Sequence, residues 1–320
     1  MSILLNPHSL RSRSTPKRST LWFAVYVFAS LIGGALLAGL LLPGPLAAGS
    51  GFWHDFIQDH GPDRILRRIQ TICAVVLAPW MLKKIGWEGF QDLGWQSSKS
   101  REARKADFWR WFLIGTLAMA GIFVTSLLSE IRVLNPFSAG RFFSSLVSGF
   151  LFTGLAVGIL EETLTRGVLY RTLARTWTPW TAALVTSLIF AWAHFMKATP
   201  ESFENGYFAI IHSSLFADFA KPTVPLKFLN MFAFGVVLCR LVQAHGDIWA
   251  AAGLHAAAVG CIKVFSKMTE FNPDTGYQSW IGGHSSKFDD GWLLFFVLLA
   301  MLCLLEWKRR NSAYSSRVHF

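Results

Sequence analysis

The chain has 320 residues, 52% of them hydrophobic and only 15% charged, with 28 Phe and 14 Trp. A soluble domain carries about a quarter charged residues, so this composition excludes an ordinary soluble fold and points to a bilayer as solvent. The net charge of +11 indicates no nucleic-acid partner, because Lys and Arg cluster between apolar runs, as they do in cytoplasmic loops, and form no continuous patch.

A basic stretch, Arg11 to Arg18, precedes an apolar run from Leu21 to Leu42. That run exceeds the ~7–15 residues of a secretory signal core, so it reads as an uncleaved first helix. In chain order, about eight membrane helices are expected, at about 21–42, 66–84, 109–130, 143–175, 179–197, 226–244, 247–267 and 291–307. Trp22, Trp109, Trp177, Trp180, Trp249, Trp292 and Trp307 sit near the ends of these runs, where indoles anchor at headgroups. Lys83, Lys84, Lys99, Arg101, Arg104, Lys105, Arg110, Arg171, Arg175, Arg240 and Lys308-Arg309-Arg310 then fall on the cytoplasmic side with both termini. The segment 203–220, interrupted by Glu204, His212 and Asp218, reads as an external interfacial or re-entrant helix. Cys73, Cys239, Cys261 and Cys303 lie scattered in apolar runs and read as small core residues. The expected organisation is all-α: a basic cytoplasmic segment 1–20, a polytopic helical bundle over 21–310 and a cytoplasmic tail 311–320. Gly154 and Gly158 give one helix a small face for close packing.

The stretch that carries chemistry is Gly158-Ile-Leu-Glu161-Glu162-Thr-Leu-Thr-Arg166-Gly167. An ionisable side chain at membrane depth costs at least ~2.5–3.5 kcal/mol, so adjacent carboxylates in an apolar helix point to function. Glu162 and Arg166 stand at i,i+4 and can pair. Glu161 points about 100° away around the helix and lacks a local cation. His194, in Phe190-Ala-Trp-Ala-His194, lies fifteen residues after Pro179, and Glu161 lies fourteen before Arg175. Both sit roughly 21–23 Å from a shared cytoplasmic turn, so an antiparallel hairpin can bring them together. His255 in Leu254-His255-Ala-Ala-Ala-Val259 lies shallower, about 12 Å from Asp247 along its helix. A base (Glu161), an imidazole beside it (His194) and a second imidazole facing a developing oxyanion (His255) suit hydrolysis of a carbonyl compound by activated water. No Ser-nucleophile motif and no H-E-x-x-H occurs.

These residues resemble the CPBP family of intramembrane glutamic endopeptidases, which includes the eukaryotic CAAX prenyl endopeptidase and the bacterial Abi proteins. The family pattern is met by Glu161-Glu162-x-x-x-Arg166, Phe190-x-x-x-His194, Phe232-x-x-Gly235 and His255-x-x-x-Val259, over about 150–262. The resemblance implies a multi-helix membrane domain with a cavity open to the cytoplasm. It also implies that Glu161 and His194 activate water and that His255 supports the oxyanion. The departure is Val259, where the family often has Asn or another polar residue. The expectation is therefore a multi-pass protease of the cell membrane, such as a bacterial inner membrane, that uses no cofactor. Its partners would be the bilayer and a membrane-associated peptide or protein substrate. Three other readings stay open: a zinc metalloprotease with Glu161, His194 and His255 as ligands, a non-catalytic peptide-binding or immunity protein, and a transporter using the buried Glu as a proton relay.

Overall fold

The computed structural model describes residues 16–42, 50–87, 89, 91–196, 205, 207–216, 224–276 and 278–318. The helices are α1 (Pro16–Leu41), α2 (Phe52–His60), α3 (Pro62–Lys84), α4 (Arg101–Leu128), α5 (Ala139–Ala174), α6 (Pro179–Phe195), α7 (Tyr207–Phe216), α8 (Val224–His245), α9 (Trp249–Met268) and α10 (Trp292–Val318). Two three-residue strands, β1 (Arg132–Leu134) and β2 (Thr269–Phe271), pair antiparallel with Val133 opposite Glu270. The chain is an all-α polytopic membrane bundle.

Each expected membrane helix is matched by a helix, and among the described residues six are long and apolar enough to cross a membrane: α1, α3, α4, α5, α8 and α9. The 17 residues of α6 give about 25 Å of rise, short of the ~30 Å hydrocarbon core. In α10, Glu306, Lys308 and Arg309 interrupt the apolar run, and the helix continues to Val318, through most of the expected tail. Of the basic segment 1–20, residues 1–15 lie outside the described residues. Within 203–220 the helix is α7, ten residues long. That length rises about 15 Å, half a bilayer, so the described α7 is shorter than a membrane span. Glu204 and Asp218 lie outside the described residues. All four cysteines are free.

The chain forms two compact units, one from Glu88–Phe190 with Leu226–Phe320, the other from Ser12–Trp87 with Ala191–Pro225. In the second, α1 packs along α3 around Ala35, Ala38, Leu42, Ile57, Leu66 and Ile210. Gln70 on α3 donates to Leu31 O at 3.1 Å and lies against Gly34.

In the first unit α9 is the central helix and packs along α4 and α5. Its Ala-rich sequence leaves no bulk to hold neighbours away. A Cβ on Gly154 would stand 2.7 Å from Ala256 O, one on Gly158 3.0 Å from Ala256 N, and one on Gly253 2.1 Å from Phe108 O. The unit is closed where α4 and α9 finish. There Arg132 donates to Thr269 Oγ1, Thr269 O and Gly283 O and covers the Phe288 ring at 5.3 Å. Burial pulls the Arg132 guanidinium below its usual range, against the pull of Asp290 and Glu270. Asp290 accepts from the backbone N–H of Gly283 and Ser285, which shapes the loop leading to α10.

Backbone contact at Gly253 makes a clear expectation. Gly253→Ala must push α4 away from α9, and overpacking of this kind costs typically about 1–3 kcal/mol. Gly121→Ala, with nothing within 4 Å of the new methyl, gains helix propensity of up to about 1 kcal/mol. Thermal unfolding in detergent is expected to place the first below the wild type and the second at or above it.

Candidate active site

The long helix α5 is not uniformly α-helical. It runs as α over Ala139–Leu146, widens to π over Val147–Gly154, returns to α over Leu155–Glu162 and widens again over Thr163–Tyr170. π segments recur at functional sites, and the second begins at the residue after Glu162. Widening takes backbone N–H groups away from their usual α-helical acceptors, and two threonine hydroxyls bond the carbonyls beside the change. Thr163 Oγ1 donates to Ile159 O at 2.7 Å, and Thr165 Oγ1 donates to Glu161 O at 2.5 Å. Thr and Ser in a helix interior commonly bond back four residues in this way and bend the helix.

Glu162 is fully buried. Its Oε1 accepts from Arg166 Nη1 at 2.9 Å, within the same helix, and lies 2.8 Å from His255 Nδ1 of α9. The expected i,i+4 pair is formed and fully shielded. Arg166 makes three further contacts. Nη1 donates to Thr165 Oγ1 at 2.7 Å, Nη2 donates to Gly235 O of α8 at 3.2 Å, and the guanidinium sits over the Phe190 ring of α6 at 4.4 Å. Gly235 earns its place in the motif by position: a Cβ there would meet Ser187 of α6 at 2.9 Å. Without that side chain α8 lies close to α6 and its carbonyl faces Arg166.

His255 is 3% exposed and is held edge-on by Phe190 at 6.0 Å and Phe234 at 5.4 Å. Because Nδ1 meets a carboxylate oxygen that Arg166 also serves, Nδ1 is assigned the proton. The other ring nitrogen, Nε2, faces Glu161 Oε2 at 3.8 Å, just beyond a direct hydrogen bond. Glu161 differs from its neighbour in access: its side chain is 35% exposed against 0% for Glu162. The structure thus brings Glu161, Glu162, Arg166 and His255 together. His255 is not set apart at a shallower level, because Gly154 and Gly158 let α9 lie directly against α5. His194 is half-buried one turn beyond Phe190 on α6, and Val259 is half-buried one turn beyond His255 on α9. Among the described residues no group of three or more His, Cys, Asp or Glu is arranged to hold a metal ion.

Sequence reasoning missed the loop before α4. Trp95 Nε1 donates to Thr163 Oγ1 at 3.1 Å, one residue from Glu162. Trp249 Nε1 donates back to Trp95 O at 3.0 Å, and the two indoles meet edge to face. Gly167 leaves room for Leu93 O, which a Cβ would meet at 2.8 Å. The only signal was the run Thr163-Leu-Thr165 after two glutamates, two back-bonding residues in an apolar helix.

Removing Arg166 leaves Glu162 charged, buried and short of its main donor, a change worth about 3–5 kcal/mol when one partner of a buried pair is deleted. Arg166→Ala is expected to lower folded yield and Tm sharply. Arg166→Lys should recover only part, since an ammonium cannot serve Glu162, Thr165 and Gly235 together. A Tm equal to wild type for Arg166→Ala would contradict the shielded pair.

Residues 143–260 match the family model described as type II CAAX prenyl endopeptidase Rce1-like. The comparisons with curated proteins and with solved structures gave no match. The matched residues contain the Glu161-Glu162-x-x-x-Arg166 stretch and both candidate histidines, so over this part the chain is similar to the CAAX prenyl endopeptidases.

Proposed function

We propose that the chain is an intramembrane glutamic endopeptidase that hydrolyses a peptide bond of a membrane-associated peptide or protein by Glu- and His-activated water. The observation that carries this reading is the unequal treatment of two adjacent carboxylates. Glu162 is sealed from solvent and held by a guanidinium and an imidazole, while Glu161 stays accessible beside the free edge of that imidazole. A carboxylate fixed by two donors is a poor base, and an accessible one is a usable base.

In this mechanism Glu161 removes a proton as the water oxygen attacks the scissile carbonyl carbon, and the resemblance implies His194 as its helper. The carbonyl π electrons move to its oxygen. His255, as the imidazolium, donates Nε2–H to that oxyanion, and Glu162 holds the opposite edge of the ring through Nδ1–H. Collapse of the tetrahedral intermediate breaks the C–N bond, and Glu161 returns its proton to the leaving amine. Arg166 acts through Glu162 and positions it. No metal is invoked at any step.

Two experiments test this reading. In peptide hydrolysis by the purified protein, beginning with a prenylated CAAX peptide and its unmodified form, Glu161→Gln is expected to lower kcat by at least ~10²-fold, as loss of a general base does. Tm should change little, since Glu161 is only half-buried and stands beyond direct hydrogen-bond distance of His255. Glu162→Gln is expected to lower both activity and Tm. Activity should persist with a strong chelator present, and its abolition with restoration by Zn²⁺ would favour the metalloprotease reading. Near-full activity of Glu161→Gln would end the assignment of the base.

Val259 supplies the second test. A donor aimed at a developing oxyanion is worth about 2.7–4 kcal/mol in other enzymes. Val259→Asn places one a single turn from His255 and is expected to raise kcat with KM unchanged, because the gain belongs to the transition state. Lower Tm with no gain in rate would mean that another group already fills that role and the new amide is unsatisfied.

A further inference from the structure

Away from the carboxylate cluster, α9 ends in two lysines. Lys263 and Lys267 stand at i,i+4, share a face and are both exposed. The helix contains no Asp or Glu. Across from it, the first turn of α5 carries exposed Arg141 in Ala-Gly-Arg-Phe-Phe-Ser-Ser-Leu, again without an acid.

Packing sets the register between the two. A Cβ on Gly149 would lie 3.1 Å from Lys263 Cβ, one on Gly154 2.7 Å from Ala256 O, and one on Gly158 3.0 Å from Ala256 N. The helices are antiparallel, so each step back along α5 is a step forward along α9. Continuing the register sets Ser145 level with Lys267, and Arg141 one turn further, level with the end of α9. The three cations therefore line one end of the α5–α9 groove. None forms an ion pair among the described residues, whereas Arg132 nearby is saturated by Thr269 and Gly283.

Three like charges at one end of a groove attract an anion. Lys263 lies five residues inside the end of a candidate membrane span, about 8 Å along the axis. An exposed ammonium there is tolerated when its stem lies on apolar surface and its head reaches the headgroup layer. On the same stretch of α5, Phe143, Leu146, Val147 and Leu151 are exposed. A cationic rim above an apolar helix face suits an amphiphile better than a free anion.

We propose that Arg141, Lys263 and Lys267 bind the phosphate of an anionic phospholipid, whose acyl chains lie on the apolar face of α5. This site is separate from the proposed protease centre and does not depend on that reading.

The test is thermal unfolding of the purified full chain in detergent, with added phosphatidylglycerol, phosphatidylcholine of the same acyl chains, or inorganic phosphate. A ligand that binds only the folded state raises Tm in proportion to its occupancy. Phosphatidylglycerol is expected to raise wild-type Tm by several degrees more than phosphatidylcholine, and that increment should shrink in high salt. The variant R141Q/K263Q/K267Q should match wild type in phosphatidylcholine and lose the increment. Equal shifts from both lipids, or an increment retained by the variant, would overturn the proposal. A shift from inorganic phosphate equal to that from phosphatidylglycerol would overturn the lipid assignment in favour of a soluble-anion site. Should the triple variant not fold, K263Q alone is read in the same way.

Discussion

The buried charge of Glu162 is the constraint around which the first unit is assembled. A carboxylate removed from water is tolerated only when paired and hydrogen-bonded, and here the donors come from two helices: Arg166 of α5 and His255 of α9. Arg166 is itself a buried charge and must in turn be satisfied. It draws on Thr165, on the Gly235 carbonyl of α8 and on the Phe190 face of α6. One carboxylate therefore requires four helices to meet at a fixed distance. The small residues follow from that requirement: Gly235 admits α8 to α6, and Gly154 and Gly158 admit α9 to α5. Deleting a partner of such a pair costs about 3–5 kcal/mol, against a total stability of about 5–15 kcal/mol for a folded domain.

Adjacency of the two glutamates gives them two different environments. Successive residues of a helix point about 100° apart, so one peptide unit holds a carboxylate in the dry core and another at an accessible edge. His255 spans the angle between them, with one ring nitrogen toward each. The rigid carboxylate fixes the ring, the ring faces the accessible carboxylate, and the geometry of the pair is set by the helix backbone and not by flexible loops. Preorganisation of this kind is what electrostatic catalysis needs.

Much of this was legible in the sequence because the bilayer makes charge conspicuous. Apolar runs and their flanking cations predicted each long helix, and Glu161, Glu162 and Arg166 stood out because so few ionisable residues lie in such runs. The i,i+4 rule gave the Glu162–Arg166 pair directly. The link from Glu162 to His255 was not legible, since depth counted along straight helices placed His255 about 12 Å from its helix start and carried no information on how closely α9 approaches α5. Hydropathy alone does not fix where α6 ends or where α10 picks up charge. Trp95 was invisible for a different reason: it sits in a charged loop, and nothing in the pattern marks Thr163 as its acceptor.

That loop changes where control of the site resides. Residues 93–99 are fixed on one side to Thr163, Gly167 and Trp249, and on the other by Ser97 to Asp247 and by Lys99 to Asp107 and Asp247. His245 joins the same network. Trp111 Nε1 can only donate, so His245 Nε2 accepts from it at 3.2 Å, and Nδ1 then carries the proton toward Asp107 at 3.0 Å. Each bond ties the loop to the ends of α4, α8 or α9, and Trp95 ties it to the turn that carries Glu161 and Glu162. A π segment is held by fewer intrinsic preferences than an α-helix, so its register depends on such external contacts. Trp95 thus joins the turn after Glu161 and Glu162 to the same network that holds the starts of α4 and α9.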